Sequence, residues 1–237
     1  MNIVVGSAFR NCAPAITRYF KRIDALQEHA QQPVRIVAVE GDSVDRTREM
    51  LEDYRRYFDL DIITCNHGQR KFSSTEDEDR LVALSKVGNT IFGGVRDTDD
   101  VLLYVESDLL WTPHNVGTLI DCAAERRYGI DVWGPVVMAG AAFYDVWGYR
   151  HLDGTRFSPF ETEQPTLGDM VTNDLGLARE VLPFLELSSI GSCLAMRADV
   201  AREVRITDDY CLVGWCKNAR AAGYRVGIHW GAQVNHP

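Results

Sequence analysis

No run of eighteen apolar residues occurs in the chain, so nothing in it predicts a membrane-spanning helix. There is no C-x-x-C pair either. The six cysteines, at 12, 65, 122, 193, 211 and 216, are scattered. That excludes zinc-finger spacing and a dithiol redox motif, and predicts reduced thiols, several of them in the core. Positive charge is in short supply: 25 Lys and Arg against 34 Asp and Glu leave a net charge of −9. Such a balance argues against broad binding to a nucleic-acid backbone, although a local basic groove is compatible with it. Internal repeats and low-complexity segments are lacking. Met1-Asn2-Ile3-Val4-Val5 begins a strand at once and leaves no room for a basic leader, which sets the expected compartment as cytoplasmic.

What is present is enough apolar material, 46% of 237 residues, for one α/β domain over 1–237. Strand and helix signals alternate through the first half, predicting an open, twisted, mostly parallel sheet flanked by helices. Strands are expected at Ile3-Val4-Val5, Val34 to Val39, Leu60 to Thr64 and Val101 to Val105. The first helix has Pro14 in its opening turn and an apolar stripe of Ile16, Tyr19, Phe20, Ile23 and Leu26. A second is expected over Asp45 to Phe58. A third, with a capping box of Thr75 and Glu78, places Leu81, Leu84 and Ile91 inward, and Thr112-Pro113 opens a fourth. After about residue 130 the pattern loosens. Strands are expected at Val132 to Met138, Ala141 to Val146, Ser192 to Met196 and Arg225 to Trp230, and a helix at Asp209 to Ala222. The polar, proline-broken stretch from His151 to about Glu180 has the character of a binding loop.

Val101-Leu102-Leu103-Tyr104-Val105 runs directly into Glu106-Ser107-Asp108. Alternation puts Glu106 and Asp108 on one side and Ser107 on the other. Two carboxylates at the end of a central strand repel one another unless a cation or donors compensate, and strand ends are where open α/β sheets take ligands. A hard divalent ion, Mn²⁺ or Mg²⁺, completed by phosphate oxygens would supply that compensation. A solvated strand end is the plain alternative. His236 becomes a third ligand if the last strand returns to this pair.

Glu40 and Asp42 crown the second strand, where carboxylates accept hydrogen bonds from ribose hydroxyls or base N–H groups; Ser43 or Asp45 is free to cap the helix that follows. Arg80, Lys86 and Asn89 recur along the third helix. Arg80 and Lys86 are either solvated charges or, if that helix borders the carboxylate strand, Lys86 and Asn89 face a diphosphate across the ion. Phe143 to Arg150 sets four aromatics and a cation in eight residues. This is either a core strand or a sugar-binding wall with Trp147 among its faces and Asp145 and Arg150 taking hydroxyls.

Together these blocks resemble the GT-A glycosyltransferases over nearly the whole chain. Glu40 to Thr47 (EGDSVDRT) is similar to their nucleotide-binding segment, and YVESD looks like their D-x-D motif. FYDVWGYR (143–150), SSIGSCLAMRADV (188–200), WCKNARAAGYRV (215–226) and RLVALSKVGN (80–89) bring the resemblance closest to fungal capsule-associated and Golgi mannosyltransferase-like families. The resemblance implies a nucleotide-binding half over 1–130 and an acceptor-binding half over 131–237. It implies transfer of a sugar from a nucleotide-diphosphate donor of the GDP-mannose or UDP-hexose type. The acceptor hydroxyl would belong to a glycan, a lipid-linked sugar, a protein or a hydroxylated base in phage-type DNA.

The same resemblance implies Asp108 as principal metal ligand, with Glu106 and His236 supporting it. Ser7, Ala8, Phe9, Glu40, Asp42, Arg80, Lys86, Asn89, Ser107 and Trp147 would hold the donor, and Asp145 and Asp209 would approach the reacting carbon. Two departures stand out. Gly88 occupies a position usually held by arginine, leaving Lys86 to substitute for it. An acidic pair usual in inverting members falls about a turn early, at Asp208 and Asp209. Either Asp209 is the base, or the enzyme retains configuration. A sugar-nucleotide pyrophosphorylase would need a glycine-rich loop after the first strand, where Gly6-Ser7-Ala8-Phe9-Arg10 offers one glycine. A non-catalytic nucleotide- or glycan-binding relative has no need of Glu106, Asp108 and His236.

Overall fold

A computed structural model describes residues 1–68, 72, 77–140, 142–145, 147–156, 183–207 and 211–237. Its frame is a sheet of nine strands: β1 (Ile3–Phe9), β2 (Val34–Glu40), β3 (Leu60–Thr64), β4 (Val101–Val105), β5 (Val132–Ala139), β6 (Ala142–Phe143), β7 (Phe184–Leu187), β8 (Cys193–Arg197) and β9 (Val226–Asn235). The strand order is β3-β2-β1-β4-β8-β5-β9-β7, with β6 paired to β5. β1 to β4, β5 and β9 point one way, and β6, β7 and β8 the other. Helices α1 (Ala13–Ala30), α2 (Thr47–Tyr54), α3 (Glu78–Gly93), α4 (Pro113–Ala124), α5 (Ala198–Glu203) and α6 (Cys211–Ala221) flank it. No helix among the described residues is long and apolar enough to cross a membrane.

Every residue of β2 and β4 is buried, as a strand covered on both faces requires. The stripe on α1 is wholly buried. Each such aliphatic or aromatic side chain contributes about 2 kcal/mol. Asp45 accepts from the backbone N–H of Thr47 (3.0 Å) and of Ala13 (3.1 Å), so one carboxylate serves the starts of both α1 and α2. Thr112 caps α4 by accepting from Asn115 N (3.2 Å), with Pro113 in its first turn.

Several expectations change. The cap of α3 is Asp77, which accepts from Asp79 and Arg80, while Thr75 lies outside the described residues. The buried face of α3 is Ala83, Ser85, Gly88, Ile91 and Phe92; Leu81 and Leu84 are only half-buried. Helical spacing gave the period but not the phase, because both faces of α3 carry apolar residues. α2 stops at Tyr54, β6 covers Ala142–Phe143 of the strand expected over 141–146 and does not include Tyr144 or Asp145, and β9 runs on to Asn235. Much of the expected binding loop, 157–182, lies outside the described residues.

At the opposite end of the sheet from the strand-end acids, the Arg35 guanidinium is buried. It donates to Asp61 (2.8 Å), to Asp99 and to the carbonyl of Gly94 (2.8 Å), and Arg96 also pairs with Asp61 (2.7 Å). Burial is tolerable there because each charge is matched.

Candidate active site

The C-terminal ends of β1, β2 and β4 open into a cleft of about 730 Å³. Ala8, Phe9, Glu106, Ser107, Asp108, Arg80, Asp145, Trp147 and His236 all line it. Backbone pairing assembles its centre. Glu106 N donates to Ser192 O (3.1 Å), which fixes the turn leaving β4 against the start of β8. Two residues past Asp108, Leu110 pairs with Asn235 at the end of β9. His236 N then donates to Met138 O (2.7 Å).

These bonds bring one ligand atom each from Glu106, Asp108 and His236 within 4.8 Å of one another. His236 Nε2 stands 3.9 Å from Asp108 Oδ2, and the Asp108 side chain is the more open of the two, 46% exposed against 23%. The His236 ring also stacks on Tyr144, 4.0 Å between centroids and 15° from parallel. Glu106 is half-buried, and its pKa is pushed up to about 8 by burial and by the neighbouring charges of Asp145 and Asp108; Arg80 pulls the other way. The local field is thus short of positive charge. Two carboxylate oxygens and an imidazole nitrogen suit a hard or borderline divalent ion such as Mn²⁺ or Mg²⁺.

Asp145 faces the same cleft with both oxygens engaged. Oδ1 accepts from Gly148 N (2.8 Å) and Oδ2 from the Ser192 hydroxyl (2.9 Å). Burial raises its pKa, and these two bonds and His236 lower it. A Cβ on Gly191 would sit 2.2 Å from Oδ2, and one on Gly148 would lie 2.7 Å from it, so both glycines make room for the carboxylate.

Other expected site residues are placed differently. Ser7 is buried, with its hydroxyl on Val105 O (2.6 Å) and Tyr19 (2.9 Å), tying β1 to β4 away from the cleft wall. The Glu40 carboxylate accepts from Ser43 N (3.3 Å) and pairs with Arg48 (3.5 Å). Asp42, at φ 57°, accepts from His67 N. Both acids are thus engaged by neighbouring backbone or side-chain donors, and neither lines the cleft. Lys86 is exposed and Asn89 is committed: its amide donates to Ile206 O (2.8 Å) and accepts from Ile206 N (2.8 Å). Beside it, Gly88 packs on Ile206, where a Cβ would lie 2.2 Å from Ile206 Cδ1. Half of the aromatic segment belongs to the core, since Phe143 and Tyr149 are fully buried edge to face; Trp147 is exposed, with the Arg156 guanidinium 3.5 Å above its ring. Asp208 and Asp209 lie outside the described residues.

The sequence reading missed the far end of the cleft, where Gly41, Cys65, His67 and Phe72 line it. Gly41 is required by contact: a Cβ there would lie 1.9 Å from Cys65 O. A glycine straight after a strand-end acid was the available signal. The six thiols are free, with Cys122, Cys193 and Cys216 buried.

No protein-family model and no curated protein matches the chain. Solved structures do. TarS residues 1–349 from S. aureus is 15% identical with a TM-score of 0.54, over 99% of this chain and 60% of that one. GalNAc-T7, solved with UDP, GalNAc and Mn²⁺, is 12% identical with a TM-score of 0.58, over 100% and 44%. The mannosyltransferase PcManGT from Pyrobaculum calidifontis, solved with GDP-Man and Mn²⁺, is 13% identical with a TM-score of 0.54, over 99% and 56%. The chain thus spans about three fifths of the TarS fragment and less of the other two. At these identities the likeness is one of fold, and the fold is that of the GT-A glycosyltransferases.

Proposed function

We propose that the chain is a metal-dependent glycosyltransferase that moves a sugar from a nucleotide-diphosphate donor to a hydroxyl acceptor. The observation that carries this reading is the convergence of Glu106, Asp108 and His236 in the cleft at the strand ends of a GT-A sheet. Asp108, the most open of the three, is the principal ligand, with Glu106 and His236 completing the protein's share. A bound Mn²⁺ or Mg²⁺ supplies Lewis-acid stabilisation of the leaving diphosphate. Ala8, Phe9, Arg80, Ser107 and Trp147, all in the cleft lining, hold the donor, and Arg80 adds the positive charge that its phosphates need. Asp145 faces the transferred sugar, and Asp209, which lies outside the described residues, joins it. Ser7, Glu40, Asp42 and Asn89 act behind the cleft by bracing its walls.

The finer assignments follow from the sequence resemblance to mannosyltransferase-like families: a donor of the GDP-mannose or UDP-hexose type, and an acceptor that is a glycan, a lipid-linked sugar, a protein or a hydroxylated base in DNA. The test is a calorimetric titration with GDP and UDP, with and without Mn²⁺, followed by a donor panel read by nucleotide release. Metal-stimulated binding of one nucleotide and release from its sugar conjugate are expected. Nucleotide binding indifferent to Mn²⁺ overturns the reading.

A further inference from the structure

Ser192 has a backbone that serine seldom adopts, φ 60°, and it is buried at the edge of the cleft. Two of its polar groups, the hydroxyl and the carbonyl, reach the two acids that stand on either side of it. The hydroxyl donates to Asp145 Oδ2 (2.9 Å), and the carbonyl accepts from Glu106 N (3.1 Å). Neighbouring glycines clear the space: a Cβ on Gly191 would collide with Asp145 Oδ2 at 2.2 Å, and Gly148 supplies the N–H for Oδ1 at 2.8 Å. A glycine would satisfy the left-handed backbone at 192 without strain. What serine adds there is one hydroxyl, aimed at one carboxylate oxygen. A strained residue that persists beside a cleft has its conformation fixed by its surroundings.

We infer that Ser192 is a positioning residue that holds the Asp145 carboxylate towards the reacting sugar, in fixed relation to the turn bearing Glu106. With Oδ1 on Gly148 N and Oδ2 on Ser192, the carboxylate plane is set by two donors at right distances from different loops. Loss of the hydroxyl frees Asp145 to rotate, and a misplacement of about 1 Å at a reacting centre costs about 100-fold in rate. The inference rests on the glycosyltransferase reading, because it needs Asp145 to face a substrate.

The test compares Ser192→Gly and Ser192→Ala with the parent, using the nucleotide sugar that the parent turns over. Both variants lose the hydroxyl, but only alanine keeps the left-handed strain. The expected kcat falls about 10- to 100-fold in both, KM for the donor and the Mn²⁺ titration of nucleotide stay within twofold, and the glycine variant melts no lower than the parent. On an Asp145→Asn background the same changes at 192 are expected to add less than threefold, since the two residues act as one unit. A Ser192→Gly enzyme with parental kcat overturns the inference, as does activity that follows melting temperature across the two variants. A parent that releases no nucleotide from any donor overturns the transferase reading itself, and the inference with it.

Discussion

Leu110 and Asn235 exchange both of their backbone hydrogen bonds, Leu110 N to Asn235 O at 2.7 Å and Asn235 N to Leu110 O at 2.8 Å. This closed pair carries the end of β9 to the turn that follows β4, and so delivers His236 to Asp108. The imidazole has a second support in its stack on Tyr144.

His236→Ala is therefore expected to weaken Mn²⁺ binding about 10- to 100-fold without unfolding the chain, because two carboxylates and the donor's phosphates still hold the ion. Asp108→Ala is expected to abolish metal-stimulated nucleotide binding altogether. Its side chain is 46% exposed, so its loss leaves no core defect and relieves repulsion with Glu106. Isothermal titration with Mn²⁺ and nucleotide diphosphate, beside far-UV circular dichroism, separates these outcomes from misfolding. An Asp108→Ala protein that still binds donor in a metal-dependent way sinks the site.

The raised Glu106 pKa has a sign that can be checked. Unfolded, the carboxyl loses its proton in the ordinary carboxylate range; folded and metal-free, it holds the proton up to about 8. Between those limits the folded state binds more protons than the unfolded one, so stability falls as pH rises through the window. Asp145, raised by burial in the same direction, adds to the slope. Glu106→Gln is expected to flatten the fall in melting temperature between about pH 5 and 8. A cation competes with the same proton, so Mn²⁺ affinity in the parent should climb with pH towards 8. Affinity that is flat over this range contradicts the assignment.

Gly191→Ala tests the carboxylate cage sterically. The added methyl would meet Asp145 Oδ2 at 2.2 Å, and the side chain, being the mobile partner, is what gives way. Turnover is expected to drop about 10- to 100-fold, with the Mn²⁺ titration unchanged. Steady-state kinetics and the titration on one preparation decide it.

Away from the cleft, Arg35→Ala should cost about 3–5 kcal/mol in urea unfolding, because it leaves the buried Asp99 carboxylate without its counter-charge. An Arg35→Ala, Asp99→Ala double variant is expected to recover part of that loss. A single variant within 1 kcal/mol or so of the parent would make the network an ornament of the surface.

Retention of configuration at the transferred carbon is the expected stereochemical outcome, following the displaced acidic pair at 208–209. NMR of the product reads the anomer directly. An inverted product, with a fall of about a thousandfold in kcat for Asp209→Asn, would make Asp209 the base.

Much of this architecture was legible in the residues. Leu60 to Thr64 has the bounds expected of it, the stripe on α1 is buried to the last residue, and Glu106, Asp108 and His236 meet although they come from distant parts of the chain. What was not legible depends on which neighbour a side chain finds. Leu81 and Leu84 carry the right period for a core face, yet they line the cleft, because Gly88 lets the other side of α3 close on Ile206. Asn89 has the chemistry of a phosphate donor and spends it on a backbone from across the fold. Ser192 gave no local sign, since its role comes from a backbone angle and from two acids distant in sequence.

The β5–β9 ladder carries a shift whose effect is one of parity. Between Gly134 and Val136 the partner strand advances from Ile228 to Gln233, five residues against two, so β9 holds three extra. In a parallel ladder partners share a face. Odd-numbered residues beyond the shift therefore take the side that even-numbered ones held before it. Straight alternation from Ile228 would put Val234 on the Gly134 side, whereas the shift puts it with Val137 on the other. The histidine two positions later inherits that choice. Deleting residues 229–231 removes the three extra residues and leaves Gln233 opposite Val136 and Val234 opposite Val137 as before, so the histidine keeps its side of the sheet. Metal binding should thus survive that three-residue deletion better than a deletion of two, which on straight alternation returns Val234 to the Gly134 side.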